Sequence, residues 1–103
     1  MNITQFQTTE DELRIKIFKA LSDNVRLQIV RLLYRHNTEL SCGEIGDELS
    51  ITKSAASYHF KTLREAGLTI TTKVGQIKYV KLNYDTFNTF LPNFLDTLVS
   101  TEA

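Results

Sequence analysis

The chain has one cysteine, one proline, no tryptophan and only four glycines in 103 residues, and its formal net charge is zero. Each shortage removes a class of protein. A single cysteine, Cys42, rules out an intramolecular disulfide and any multi-cysteine zinc site within one chain, in keeping with a reducing compartment. So little proline and glycine beside 42% hydrophobic and 23% charged residues is an ordinary globular balance, not that of a disordered or low-complexity chain. No apolar run approaches the ~18 residues of a membrane span, and the opening MNITQFQTTEDEL lacks both the basic start and the apolar centre of a signal peptide. The expectation is a cytoplasmic protein with no membrane partner. Its length fits a single domain, residues 1–103, and no internal repeat is visible.

The zero net charge conceals an uneven distribution. Residues 1–50 hold six Lys/Arg against eight Asp/Glu, residues 51–82 hold six against one (Glu65), and residues 83–103 hold none against three. Local field governs attraction to a polyanion, so the middle third is the face suited to phosphates. A solvated surface that merely lacks acids gives the same count, and charge alone leaves nucleic-acid binding open.

Hydrophobic spacing and turn residues order the chain. Thr9 followed three residues later by Glu12 is a capping box, and Leu13, Ile17, Phe18 and Leu21 recur on one helical face. A first helix is predicted from Glu10 to Leu21, with Ile3 and Phe6 before it. Ser22 is the predicted cap of a second helix whose inward stripe is Val25, Ile29, Leu32 and Leu33, ending near Tyr34 to Asn37. Ser41 with Glu44 opens a short third helix through Leu49. Thr52 caps a fourth, with Ile51 and Ala56 spaced for a hydrophobic staple and Gly67 as its left-handed stop. The period then changes to two: Leu68, Ile70, Thr72 and Val74 alternate, Gly75-Gln76 is a two-residue turn, and residues 77–82 form the return strand. From Asp85 onward Phe87, Phe90, Leu91, Phe94, Leu95 and Leu98 return to helical spacing, with Pro92 expected to kink or split that helix.

On the fourth helix, Ala56, Phe60 and Leu63 cluster on one side at 100° per residue and are predicted to be buried. Ser54, Tyr58, Lys61 and Glu65 point the opposite way, Ser57 and Arg64 lie on one flank, Ala55 and Thr62 on the other, and His59 sits at the border of the core. Short hydrogen-bonding residues near the N-terminus of an outward face suit a helix lying in a major groove. A short helix, a tight turn, that helix and a basic hairpin describe a winged helix-turn-helix: mainly α with a small antiparallel β-hairpin, in the order α-α-α-α-β-β-α. The candidate DNA-binding residues are Lys53, Ser54, Ala55, Ser57, Tyr58, His59, Lys61 and Thr62 of the helix and Lys73, Gln76 and Lys78 of the wing. Tyr58 is the candidate base contact and the lysines the phosphate contacts. Ser54 and Ser57 suit phosphate contact or local capping equally, and His59 suits a structural hydrogen bond or a phosphate.

The runs ALSDNVRLQIVRLL (residues 20–33), ELSCGEIGDELSITKSAASYHFKTLREAGL (39–68) and TTKVGQIKYVKL (71–82) together resemble the ArsR family of bacterial transcriptional regulators. The resemblance implies a homodimer whose first and last helices pair, a recognition helix in each major groove of a double-stranded operator, and repression relieved by an effector. For the dimer interface it points to Leu13, Ile17, Phe87, Phe90, Leu91, Phe94, Leu95 and Leu98; the wide C-terminal stripe exceeds what one small domain needs to cover. A small-molecule effector would find an apolar lining at Phe87, Phe90 and Phe94, although packing is the plainer use of those rings.

The departures bear on the effector. Many metal-sensing members carry a Cys-Val-Cys core where this chain has Ser41, Cys42 and Gly43, so both thiolate positions are lost. Zinc-type members place Asp and His along the last helix, where this chain offers only Asp85 and Asp96. No metal site or cofactor is expected. Cys42 reads as a small buried residue, an intersubunit pair being the alternative. Two other functions compete with DNA binding: a winged helix used for protein contact, and an enzyme, for which no nucleophile, base and orienting set is visible.

Overall fold

The computed structural model describes the backbone of residues 3–99 and the side chains from Thr9 to Val99. The first helix, α1 (Ile3–Leu21), buries Ile17, Ala20 and Leu21. It begins well before the predicted Glu10, so the Thr9–Glu12 pair lies inside it. A capping box marks a start only where the chain leaves helical geometry at the cap, and here it continues. Ile3 and Phe6 therefore belong to the helix, and their side chains lie outside the described residues.

Helix α2 (Asn24–His36) is capped by Asp23, whose carboxylate accepts from the Arg26 N–H at 3.0 Å. The predicted cap, Ser22, instead donates its hydroxyl to the Lys19 carbonyl at 3.0 Å and finishes α1. Two adjacent cap-forming residues compete here, and Asp23 wins because it adopts the extended backbone a cap requires (φ −142°, ψ 133°). A two-residue strand, β1 (Leu40–Ser41), follows and was not predicted. It exists only because β3 runs beside it, Leu40 facing Val80 and Ser41 facing Tyr79, and two residues carry no period to read.

Local signals fix the next two helices. Helix α3 (Cys42–Leu49) opens with the predicted capping box: the Glu44 N–H donates to Ser41 Oγ at 3.0 Å, and the Ser41 N–H donates to Glu44 Oε1 at 2.8 Å. The turn through Ser50, Ile51 and Thr52 is tight, and Thr52 Oγ1 caps α4 (Lys53–Glu65) by accepting from the Ala55 N–H at 3.2 Å. Gly67, at φ +76°, ends α4, with the Leu68 N–H on the Leu63 carbonyl (3.0 Å) and the Gly67 N–H on that of Arg64 (2.9 Å). A Cβ at Gly67 would meet only Thr86 Oγ1 at 3.7 Å, so the cost of a side chain there is backbone strain and not a clash. Gly67→Ala is expected to lower unfolding free energy by about 1–2 kcal/mol, read as a lower urea midpoint at unchanged slope. An unchanged midpoint would contradict the left-handed stop.

The hairpin is β2 (Thr69–Val74) and β3 (Ile77–Leu82), closed by Gly75-Gln76 with Val74 facing Ile77 and Gly75 at φ +60°. With β1 it makes a three-stranded antiparallel sheet in the order β1-β3-β2. After Pro92 interrupts the pattern, the C-terminal segment divides as expected into α5 (Tyr84–Phe90) and α6 (Phe94–Thr97). Both are tied to α2: the Tyr34 hydroxyl donates to the Asp96 carboxylate, Arg31 Nε donates to the Leu98 carbonyl at 2.8 Å, and Tyr84 donates to Asn37. The Asp96 bond raises the Tyr34 hydroxyl above its ordinary pKa. The core draws on the helices and the sheet alike, including Ile17, Ile29, Leu33, Ile45, Leu63, Val80 and Phe87. Among the described residues no helix is long and apolar enough to cross a membrane.

Candidate nucleic-acid interface

Helix α4 divides by face as its spacing requires. Ala56, Phe60 and Leu63 are buried, while Lys53, Ser54, Ser57, Tyr58, Lys61 and Arg64 are exposed. Between α4 and the wing lies an open groove of about 930 Å³. Its floor includes Ile51, Ala56, Phe60 and Cys42; Lys53, Ser57, Lys61 and Arg64 line it from α4, and Lys73, Gln76 and Lys78 from the wing. Five cations thus surround a channel whose lining includes one acid, Asp47. Charges gathered around a concave surface reinforce one another's field, which makes this groove the strongest candidate polyanion surface of the fold.

Arg64 was not among the predicted contacts, yet it lines the groove beside Ser57, on the flank of α4 that faces the wing. The remaining predicted residues of α4 do not themselves line the groove. Ser54 is exposed and free of the capping that Thr52 performs. Ala55 is half-buried and its N–H is held by Thr52. The Thr62 hydroxyl donates to the Tyr58 carbonyl at 3.0 Å, which turns it back onto its own helix.

Tyr58 is 62% exposed, the most prominent aromatic side chain of α4. It does not stand alone. The His59 ring meets it edge-on at 5.4 Å between centroids, and the Arg26 guanidinium lies 5.8 Å from its ring centre. His59, which by sequence suits a structural hydrogen bond or a phosphate, turns inward and makes the structural one: its side chain is 13% exposed and its Nδ1 lies 3.1 Å from Arg26 Nη1. A guanidinium has no acceptor, so His59 Nδ1 accepts and the ring proton of the neutral form sits on Nε2. Asp23 stands 3.8 Å from the same nitrogen. The Arg26 N–H bond holds the Asp23 carboxyl below its usual range, aided by the charge of Arg26.

Cys42 is half-buried and free, and burial pushes its thiol pKa up despite the pull of Lys78. Asp96 is engaged by Tyr34, and Asp85 stands exposed at the start of α5. Among the described residues no three His, Cys, Asp or Glu gather into a metal-holding group.

Of the predicted dimer residues, Ile17, Phe87, Leu95 and Leu98 are buried within the protomer, at 1%, 1%, 7% and 7% exposure. Leu13, Phe90, Leu91 and Phe94 are only partly buried. Two further apolar side chains, Ile15 and Phe18, are 50% and 56% exposed on α1. Phe18, expected to share one helical face with Leu13, Ile17 and Leu21, instead points outward, since it stands about 100° around the helix from the buried Ile17.

Comparison with known proteins agrees with this architecture. The helix-turn-helix domain family matches residues 9–72. The chain is 60% identical to the HTH-type transcriptional regulator YceK of Bacillus subtilis over 87% of its own length and 90% of that protein. It is 32% identical to the transcriptional activator HlyU of Vibrio cholerae over 81% of this chain and 74% of HlyU. The solved HlyU structure superposes with a TM-score of 0.74 at 29% identity, covering 89% of this chain and 94% of that one. The homodimeric winged helix-turn-helix DNA-binding domain of Mb0332 from Mycobacterium bovis, a possible ArsR-family regulator, shares the fold with a TM-score of 0.76 at 24% identity, covering 93% of this chain and 85% of that one. The cap-for-cap helix-turn-helix, the hairpin wing and these similarities have one reading: the chain belongs to the ArsR family of winged helix-turn-helix transcriptional regulators.

Proposed function

We propose that the protein is a homodimer that binds a two-fold symmetric operator through α4 and the wing, represses by occupying it, and is released by a small-molecule effector. The observation that carries the reading is the cationic groove between α4 and wing, flanked by an exposed Tyr58. In it, Lys53, Lys61, Arg64, Lys73 and Lys78 neutralise phosphates, and Gln76 reaches the backbone from the wing tip. Ser54 and Ser57 hydrogen-bond at the groove edge, and the Tyr58 ring packs on a thymine methyl while its hydroxyl bonds a base edge or phosphate. His59 serves in this reading through its bond to Arg26, which supports a structural role over a phosphate contact. Ala55 and Thr62 serve only to let the helix approach closely.

The dimer surface in this reading is α1 with the C-terminal helices: exposed Ile15 and Phe18 joined by Leu13, Phe90, Leu91 and Phe94. The Arg14 guanidinium, 5.5 Å from the Phe90 ring centre, connects the two parts. The Mb0332 domain is homodimeric, which supports the assembly. Repression and release follow the logic of the ArsR family, whereas the relative HlyU is an activator.

Tyr58→Ala and Lys61→Ala separate the roles. On a duplex from upstream of the protein's own gene, Tyr58→Ala is expected to lose about tenfold in affinity with little change on random DNA, whereas Lys61→Ala weakens both alike. Equal losses on both duplexes for both variants would contradict the division. A second reading has one observation in its favour: Ile70, Val74 and Ile77 are 40%, 62% and 50% exposed on the wing, a surface suited to protein contact. Association with DNA that ignores salt, or none at all, would favour it.

A further inference from the structure

We propose that Arg26 is a positioning residue for operator recognition, acting through His59 to hold the Tyr58 ring in its binding orientation. The inference rests on the DNA-binding reading above and adds to it a residue that reaches no base or phosphate.

Arg26 is in the wrong place for its own helix. It lies in the first turn of α2, where the helix dipole disfavours a cation, and it is 9% exposed, where an unpaired charge is costly. Its guanidinium is directed elsewhere. Nε donates to the Ala20 carbonyl at 2.7 Å and Nη2 reaches the Lys19 carbonyl at 3.4 Å, so the cation closes the C-terminal end of α1, the end that favours positive charge. Nη1 crosses to α4 and meets His59 Nδ1 at 3.1 Å, with the Asp23 carboxylate 3.8 Å from that nitrogen. Three helices thus meet on one side chain.

The beneficiary is Tyr58. A ring that is 62% exposed would ordinarily sample several rotamers and lose that freedom on binding. Here the guanidinium lies against it at 5.8 Å and the His59 ring abuts it edge-on at 5.4 Å. Both constraints are themselves fixed, Arg26 by the α1 carbonyls and His59 by Arg26. Removing the Arg26–His59 bond frees His59, and with it the Tyr58 ring, while every lysine of the groove stays in place. Discrimination between sequences should suffer and general attraction to phosphate should not.

His59→Leu removes the acceptor, and His59→Gln supplies another in Gln Oε1. The expected result is that H59L lowers the ratio of affinities for upstream and random duplexes about fivefold to tenfold. The salt slope on random DNA stays at the wild-type value. H59Q should retain the ratio to within about twofold. A free-protein readout stands beside these, because NMR of the wild type should show contacts between the Tyr58 ring and the Arg26 side chain and an exchange-protected Arg26 Nε–H, the ring contacts being lost in H59L. An H59L protein that keeps its discrimination overturns the proposal, as does an H59Q protein that loses as much as H59L. A rotationally free Tyr58 ring in the wild type also overturns it, even should H59L fail to fold. Wild-type protein that treats all duplexes alike, with its ring ordered, overturns the DNA-binding reading instead, so the two failures are told apart.

Discussion

The variant in which Lys53, Lys61, Lys73 and Lys78 are all replaced by glutamine is expected to lose DNA binding by about a thousandfold at ~50 mM salt, with no preference for which duplex is lost. All four side chains are exposed, and none takes part in the core, so the fold should melt within about 1–2 kcal/mol of the wild type. The reasoning is electrostatic. Each lysine–phosphate contact releases roughly one counterion, so removing four per protomer should flatten the slope of log affinity against log salt by about 3–4 units per protomer. Fluorescence anisotropy over a salt series reads both quantities. A variant with the wild-type slope would mean that the groove cations are merely solvated, and the site would have to be sought elsewhere.

The second large effect concerns the C-terminal helices. Phe87 is 1% exposed and stacks parallel to Phe94 at 6.4 Å between ring centres. Phe87→Ala is expected to cost about 3–5 kcal/mol, the sum of lost apolar burial and the cavity left behind. The consequence extends beyond the core. Phe87 anchors α5, and Phe94 carries the stack into α6, so the surface formed by Phe90, Leu91 and Phe94 should lose its shape along with it. Urea denaturation should show a lower midpoint, and sedimentation should show dissociation at concentrations where the wild type is dimeric. A variant as stable as the wild type would contradict the packing of Phe87 inside the protomer. A destabilised but fully dimeric variant would place the interface on α1 alone.

Much of the fold was legible because it is locally encoded. The Ser41–Glu44 capping box, the Thr52 cap, the left-handed Gly67 and the Gly75-Gln76 turn each concern a few neighbouring residues, and each is found where the sequence puts it. The failures lie where a local pattern does not by itself decide the backbone. Thr9 and Glu12 have the pattern of a helix start, but the chain stays helical through them. Asp23 displaces Ser22 at the next cap because Asp23 is the residue that leaves helical geometry. Strand β1 appears only where β3 passes.

The wing reverses the usual alternation. Thr69 is buried at 4% while Ile70 and Val74 on the same strand are exposed, and neither Thr69 Oγ1 nor Thr71 Oγ1 has a hydrogen-bond partner. A period of two can be read from sequence, but the face that turns inward is decided by pairing with Val80 and Leu82. The candidate site divides along the same line. The outward lysines and Tyr58 follow from helical angle alone, whereas the inward turn of His59 depends on Arg26, thirty-three residues away in sequence. A lone arginine among the polar positions of α2 gave no sign of that contact. Of the residues expected at a dimer surface, Ile17, Phe87, Leu95 and Leu98 are buried within the protomer, because an interface stripe and a core stripe share one helical period.

The central claim is that α4 and the wing form one sequence-reading DNA surface. The direct test is anisotropy of the wild-type protein with a labelled duplex from upstream of its own gene and with a random duplex, each titrated across a salt series. The account predicts affinity that rises steeply as salt falls on both duplexes, and at least about a thousandfold preference for the upstream duplex at physiological salt. Weak binding to both duplexes with a shallow salt slope would contradict it, and would turn the wing's exposed Ile70, Val74 and Ile77 into the surface to follow.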